Sequence, residues 1–347
     1  IFESIPVEKP NSFFLKEINT PEDLRKFKLK DLDKISDELR EYLLYSVGKS
    51  GGHFGAGLGV VELTIALHYA FETPKDKLVW DVGHQGYAHK IITGRFKEFR
   101  TIRKYDGISG FLKRSESDYD SFGAGHASTS ISAALGMAEA RFQSNDNYRV
   151  AAIIGDGSMT GGLAFEGINN AGHLGRQILV ILNDNEMSIS PNVGALSKYF
   201  TRMISNPLYN KVRNIVWDST GIIPMGKSAT RSFLKKIDET LKNLIVPGML
   251  FQELGFRYFG PINGHDLEEV LHTLNNIKDI QAPVLLHILT KKGQGMLNNS
   301  TEREEYHIDA VKFHAVKPNG KMAKTNKIVR KILEHIAVHR TIDIRQE

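Results

Sequence analysis

Apolar residues recur at the helical period through residues 20–48, where Leu24 and Phe27 lead into Leu32, Ile35, Leu39, Leu43 and Leu44, so a helix is predicted there. A second helix is predicted from Val60 to Phe71, stopping near Thr73-Pro74, because the residue before a proline is pushed out of the helical region. Between them the glycine cluster Gly51–Gly59 reads as a loop. Leu78-Val79-Trp80 reads as a short buried strand ending on Asp81-Val82-Gly83-His84-Gln85. A further helix is expected over Ile131–Phe142, with the hydroxyls of Ser128, Thr129 and Ser130 suited to its start.

The middle of the chain reads as a βαβ unit. Val150–Ile154 and Ile178–Leu182 are continuous apolar runs of strand length, with a helix near Leu163–Ala171 between them. Unbroken apolar strands are expected where helices cover both faces of a parallel sheet. A last unit has strand Phe256–Phe259, turn Pro261-Ile262-Asn263-Gly264, helix Leu267–Ile277 and strand Val284–Leu289. Residues 197–247, of mixed polarity, read as a flexible insertion with a helix at Phe233–Leu244. Residues 317–347 read as a basic amphipathic helical tail carrying Ile328, Val329, Ile332, Leu333 and Ile336. The predicted fold class is α/β, a parallel sheet flanked by helices, in one domain over residues 1–316.

Composition narrows the function classes. With 41% hydrophobic and 24% charged residues in 347, the chain has a proper core and is neither disordered nor fibrous. The formal charge is +5, and Lys317–Glu347 alone carries eight Lys/Arg against three acids. The remainder is close to neutral, so no nucleic-acid partner is expected. Tyr105 and Phe111, though near basic residues, read as loop anchors. No apolar run approaches the ~20 residues of a membrane span, so no membrane partner is expected either. Cysteine is absent, which removes disulfides, thiolate nucleophiles and Cys-ligated metals. The opening Ile1-Phe2-Glu3 shows no basic-then-apolar signal pattern, and a soluble cytoplasmic protein is expected.

The sharpest chemical feature is Gly155-Asp156-Gly157 followed, 29 residues after the aspartate, by Asn185 in Leu182-Asn183-Asp184-Asn185-Glu186-Met187. Both groups fall just past strand ends in one βαβ unit, the edge where open parallel sheets bind ligands. A carboxylate and an amide oxygen are hard donors suited to Mg²⁺ or Ca²⁺, and Mg²⁺ commonly shares such donors with a bound diphosphate. Gly157 and the amides after it, opening a helix, can donate to those phosphates. The pattern resembles the thiamine-diphosphate binding motif. Three Gly/His segments add to it: Gly52-His53, Gly83-His84 and Gly125-His126. They suit a pocket for phosphate binding and proton transfer. A histidine zinc site is the competing reading, weakened because no two of these histidines share helical ligand spacing. Gly55-Ala56-Gly57-Leu58-Gly59 lacks the preceding strand of a dinucleotide loop, and no P-loop occurs.

The runs Ser50–Phe54, Trp80–Lys90, Gly125–Ser132, Gly155–Gly157, Ile181–Ser190, Val246–Phe251 and Lys312–Val316 closely resemble the 1-deoxy-D-xylulose-5-phosphate synthase family. The likeness extends from about residue 20 to 316. It implies a thiamine-diphosphate-binding, transketolase-like fold and a transferase that condenses pyruvate with D-glyceraldehyde 3-phosphate with loss of CO₂. That reaction opens the non-mevalonate isoprenoid route and feeds thiamine and pyridoxal synthesis. By position, the resemblance implies Asp156, Asn185 and the Met187 carbonyl as Mg²⁺ ligands. Gly157 and Ser158 would hold the diphosphate, and His84, Gly125, His126 and Ala127 would line the cofactor. His53 and His314 would face the reacting carbon. Met296 stands where family members carry an aromatic residue beside the cofactor. The resemblance also implies a homodimer and two further domains, a pyrimidine-binding and a C-terminal one, that this chain lacks. The chain alone is therefore expected to bind Mg²⁺–diphosphate without catalysing the reaction. A diphosphate-binding subunit of a two-component transketolase-like enzyme is the alternative.

Overall fold

The computed structural model describes residues 6–186, 195, 198–199, 248–295 and 315–316. The expected helix Phe233–Leu244, nearly all of the 197–247 insertion and the 317–347 tail lie outside the described residues.

Five strands form a parallel sheet: β2 (Lys77–Trp80), β3 (Val150–Gly155), β4 (Ile178–Asp184), β5 (Arg257–Asn263) and β6 (Pro283–Leu289), in the order β2-β3-β4-β6-β5. A second, two-stranded sheet pairs β1 (Gly52–His53) antiparallel with β7 (Ala315–Val316). The helices are α1 (Pro21–Leu24), α2 (Leu32–Ser50), α3 (Gly55–Gly59), α4 (Val61–Ala70), α5 (Tyr87–Lys90), α6 (Ser130–Ser144), α7 (Asp156–Met159), α8 (Gly162–Leu174), α9 (Met249–Glu253) and α10 (Leu267–Ile277).

The unbroken apolar strands are explained by the two cores they serve. Ala151 and Ile153 of β3, with Leu179 and Ile181 of β4, join the core under α2, α4 and α10. Their alternate neighbours Val150, Ala152, Ile154, Ile178, Val180 and Leu182 join the opposite core under α6 and α8. Successive side chains point to opposite faces, so a strand covered on both sides has no polar position to spare. Each fully buried aliphatic contributes roughly 1.5–3 kcal/mol.

Four local expectations are corrected. The helix expected across 20–48 is broken: α1 is a separate turn whose Thr20 amide donates to Asp23 Oδ2 (3.1 Å), and Lys28 is extended (ψ 150) before α2 begins. The Gly51–Gly59 loop contains helix α3; Gly59 there lies against the Lys291 carbonyl, where an added Cβ would sit 2.9 Å from the oxygen. The hydroxyls of Ser128–Ser130 do not cap α6. Its first amides are held instead by Asp81, whose Oδ1 and Oδ2 accept from Ser128 N (2.9 Å) and Ser130 N (3.1 Å). The predicted turn at Pro261–Gly264 is largely strand: β5 continues to Asn263, with a register shift between Phe259 and Ile262. Gly260, at φ +107, makes the shift possible, since a Cβ would run directly onto the His287 carbonyl.

Candidate active site

The C-terminal ends of the parallel strands converge on one edge, and the loops leaving them carry the candidate residues. In the β3–β4 register Gly155 lies opposite Asn183, which brings Asp156 and Asp184 side by side one residue further on. Asp156 is 4% exposed, and Gly157 N donates to its Oδ1 at 2.8 Å. Its Oδ2 is buried with no donor reaching it. Burial first, and then the neighbouring Asp184 carboxylate, push the Asp156 pKa well up; the amides of Gly157 and Asn185 pull the other way. Asn185 thus reaches Asp156 through its own backbone, so the acid and the amide singled out by spacing share one corner of the sheet.

Asp184 goes the other way. Burial would raise its pKa, but His287 foremost, then Asp156 and the Glu186 amide, together outweigh burial and hold it below the ordinary value. His287 Nε2 lies 3.0 Å from Asp184 Oδ2, and its Nδ1 lies 2.8 Å from the Tyr258 hydroxyl. Asn183 ties three strand ends together, its Nδ2 donating to Gln85 Oε1 (3.3 Å) and its Oδ1 accepting from Thr290 Oγ1 (2.6 Å).

Of the three Gly/His segments, two meet. The His53 and His84 rings are 5.8 Å apart at their centroids, and Phe111 and Tyr87 close on His53 at 5.8 and 6.5 Å. Burial first, then the charges of His53 and Lys292, push the His84 pKa down to about 3, so His84 is a neutral imidazole. Gln85 Nε2 donates to its Nε2 (3.4 Å), which leaves Nδ1 as the N–H, buried without a partner. His126 is exposed on the neighbouring loop and donates to its own Ala127 carbonyl. That loop returns to the site through Ser128, whose hydroxyl donates to the Ser158 carbonyl (2.7 Å). Gly125, Ala127, Gly157 and Ser158 are all partly exposed along this seam.

A fourth wall comes from the loop after β6. Lys292 is 2% exposed; burial pushes its pKa down to about 8, opposed by Asp156. The loop is latched from behind: Lys291 N donates to His265 Nε2 (2.8 Å), His265 Nδ1 lies 3.2 Å from Glu62 Oε2, and Glu62 Oε1 pairs with Arg40.

Met187, Met296 and His314 lie outside the described residues, although the pair directly after His314 forms β7, where Ala315 is registered against His53. Sequence reasoning gave no role to Asp81, Asp184, Tyr87, His287 or Lys292. Asp81 and Asp184 sat inside motifs already singled out; nothing local marks His287, which reads as one more residue of a buried strand. Among the described residues no group of three or more His, Cys, Asp or Glu forms a metal cluster. No described helix is long and apolar enough to cross a membrane.

The residues present fit a divalent metal held jointly by protein and diphosphate. Asp156 Oδ2 is a buried carboxylate oxygen without a donor, beside the amide-bearing Asn185. Space is open above the backbone that would cradle phosphate: no atom lies within 4 Å of where a Cβ would stand on Gly123 or Gly125.

The architecture is a transketolase-like α/β fold. Transketolase from Campylobacter jejuni superposes on 90% of this chain and 43% of its own at TM-score 0.60, with 19% identity. Transketolase from Leishmania mexicana covers 88% and 44% at TM-score 0.55 and 18% identity. Sequence carries the assignment further. The family model for 1-deoxy-D-xylulose-5-phosphate synthase matches residues 15–290. The 1-deoxy-D-xylulose-5-phosphate synthase of Hahella chejuensis is 50% identical over 331 residues, 95% of this chain and 50% of that protein. Those of Ectopseudomonas mendocina (51% over 319 residues; 92% and 50%) and Methylobacillus flagellatus (53% over 281; 81% and 45%) are similar. The chain belongs to the 1-deoxy-D-xylulose-5-phosphate synthase family. It spans about half the length of these relatives.

Proposed function

We propose that this chain is the diphosphate- and metal-binding part of a 1-deoxy-D-xylulose-5-phosphate synthase, a transketolase-type transferase joining pyruvate to D-glyceraldehyde 3-phosphate with release of CO₂. The observation that carries the reading is the unpartnered, buried Asp156 Oδ2 next to Asn185 at the β3–β4 edge. Asp156 and Asn185 would hold Mg²⁺, and the family likeness adds the Met187 carbonyl. Gly157, Ser158 and the Gly125–Ala127 loop would receive the diphosphate. Thiamine diphosphate, when bound, supplies the carbanion chemistry that forms the carbon–carbon bond.

The protein's own part is binding, orientation and proton handling. The neutral His84 can donate from Nδ1 without bringing a second charge beside Lys292. His53, flanked by the tilted rings of His84 and Phe111, is placed to exchange protons with a reacting carbonyl, together with His314 from the family likeness. Lys292 adds positive charge facing Asp156, suited to anionic phosphate. The full-length protein is proposed to act as a cytoplasmic homodimer at the head of the non-mevalonate isoprenoid route, its product also serving thiamine and pyridoxal synthesis.

The test is product formation. With Mg²⁺ and thiamine diphosphate, the full-length protein is expected to form 1-deoxy-D-xylulose 5-phosphate from the two substrates, and Asp156→Ala to abolish it. The 347-residue chain alone is expected to form none. Failure of the full-length protein, or product from the Asp156→Ala variant, contradicts the proposal.

A further inference from the structure

Asp81 leaves the end of β2 as a buried carboxylate (3% exposed), yet neither oxygen is spent on a side chain. Both accept backbone N–H groups 47 and 49 residues on, those of Ser128 and Ser130. The residue between this grip and the next is strained: Ser128 sits at φ +72, a region that non-glycine residues seldom occupy. From that conformation the Ser128 hydroxyl reaches the Ser158 carbonyl at 2.7 Å. The fit is close, since a Cβ on the adjoining Gly161 would fall onto the Ser128 hydroxyl. Three loop tips from three chain regions are thus fastened in series, β2 to the Gly123–Ser130 loop to the turn after β3. The last two of these tips carry Ala127 and Ser158.

We infer that Asp81 is a positioning residue, and that the Asp81–Ser128–Ser158 staple sets the spacing of the two loops that receive the cofactor's diphosphate. This rests on the proposed function above. A plain helix cap predicts something different. Asp81 would then support only α6, and its loss would lower stability without changing what the loops bind. Two charge-assisted bonds to backbone amides are an expensive way to hold a loop unless its position matters, and residues that orient a ligating shell typically change affinity 10–100-fold when altered.

The experiment measures thiamine diphosphate affinity calorimetrically at saturating Mg²⁺ in the full-length protein. Compared are wild type, Asp81→Asn, Ser128→Gly, the double variant of those two, Asp156→Ala and Arg141→Ala. The last releases the far end of α6, where Arg141 donates to the Tyr148 and Gln177 carbonyls, and serves as a control for loosening that helix away from the site. Asp81→Asn and Ser128→Gly are each expected to weaken binding about tenfold or more, the double variant little more than either alone, while Arg141→Ala binds as wild type. Ser128→Gly relieves the strained φ, so it carries the test if Asp81→Asn fails to fold. Binding unchanged in Ser128→Gly and in any folded Asp81→Asn, while Asp156→Ala loses it, overturns the staple but not the functional reading. Binding unchanged in Asp156→Ala overturns both.

Discussion

Behind the site, a buried charge cluster anchors the loop that carries Phe111, and its removal has a calculable cost. Asp120 is 2% exposed and accepts from Arg95 through both terminal nitrogens (2.8 and 2.7 Å) and from Lys113 N (2.8 Å), with His89 Nε2 3.1 Å away. Burial alone would raise its pKa, but His89 and Arg95 outweigh burial and hold it far below the ordinary carboxylate value. Asp120→Asn keeps the shape and removes the charge, leaving the buried Arg95 guanidinium short of a counter-ion. Breaking one partner of a buried pair costs about 3–5 kcal/mol. Arg95 keeps Glu116 at 3.2 Å and the Thr93 hydroxyl at 2.8 Å, so we expect the low end, about 3 kcal/mol. The assay is urea unfolding at pH 7 followed by tryptophan fluorescence. Trp80, whose ring centroid lies 5.8 Å from that of His89, reports from within the cluster. Adding Arg95→Met to Asp120→Asn removes the orphaned charge and is expected to return about 2 kcal/mol of the loss. A loss below about 1 kcal/mol, or strict additivity of the two substitutions, refutes the reasoning.

Further outcomes are expected. His68, His84 and His89 are all held neutral, chiefly by burial, with pKa values below the unfolded value of about 6.5. A depressed folded pKa gives stability that is full above about pH 6.5 and lost as pH falls, at up to ~1.4 kcal/mol per pH unit for each histidine until its folded pKa is reached. Urea midpoints between pH 7.5 and 5 are expected to fall in the wild type and to fall less steeply in His68→Asn; equal slopes contradict this. Gly172→Ala drives a Cβ onto the Leu254 carbonyl, joining α8 to the turn before β5, and is expected to cost about 2 kcal/mol or more in thermal unfolding. Ile181→Ala in the central strand β4, at 0% exposure, is expected to cost about 3–4 kcal/mol by the same measurement.

Much of the scaffold was legible in the sequence where the determining forces are local. Helix α10 runs over the predicted Leu267–Ile277 because its period is clean and Asp266 caps it, accepting from Glu269 N at 2.9 Å. The β3 and β4 runs read correctly as strands covered on both faces. The elements that were missed answer to distant partners. Asp81 displaces the local hydroxyls as the holder of the α6 start from 49 residues away. Gly59 winds into α3 because a backbone from the loop after β6 needs the room, and Gly260 carries β5 through an expected turn because it lies against β6. The site divides the same way. That Asp156 and Asn185 fall at one corner of the sheet was legible because one βαβ unit fixes their spacing. Asp184 was not, since its character depends on His287, 103 residues on. His126, expected in a shared pocket with His53 and His84, is exposed on a loop whose path depends on the Ser128 contact.

The central claim is that Asp156 and Asn185 together grip a divalent cation bound to a diphosphate. The most direct measurement is anomalous diffraction from crystals of the full-length protein grown with Mn²⁺ and thiamine diphosphate. A single peak is predicted about 2–2.3 Å from an Asp156 carboxylate oxygen and the Asn185 side-chain oxygen, with the diphosphate beside Gly157. A peak away from these two residues, or one that persists unchanged in Asp156→Ala, would contradict the account.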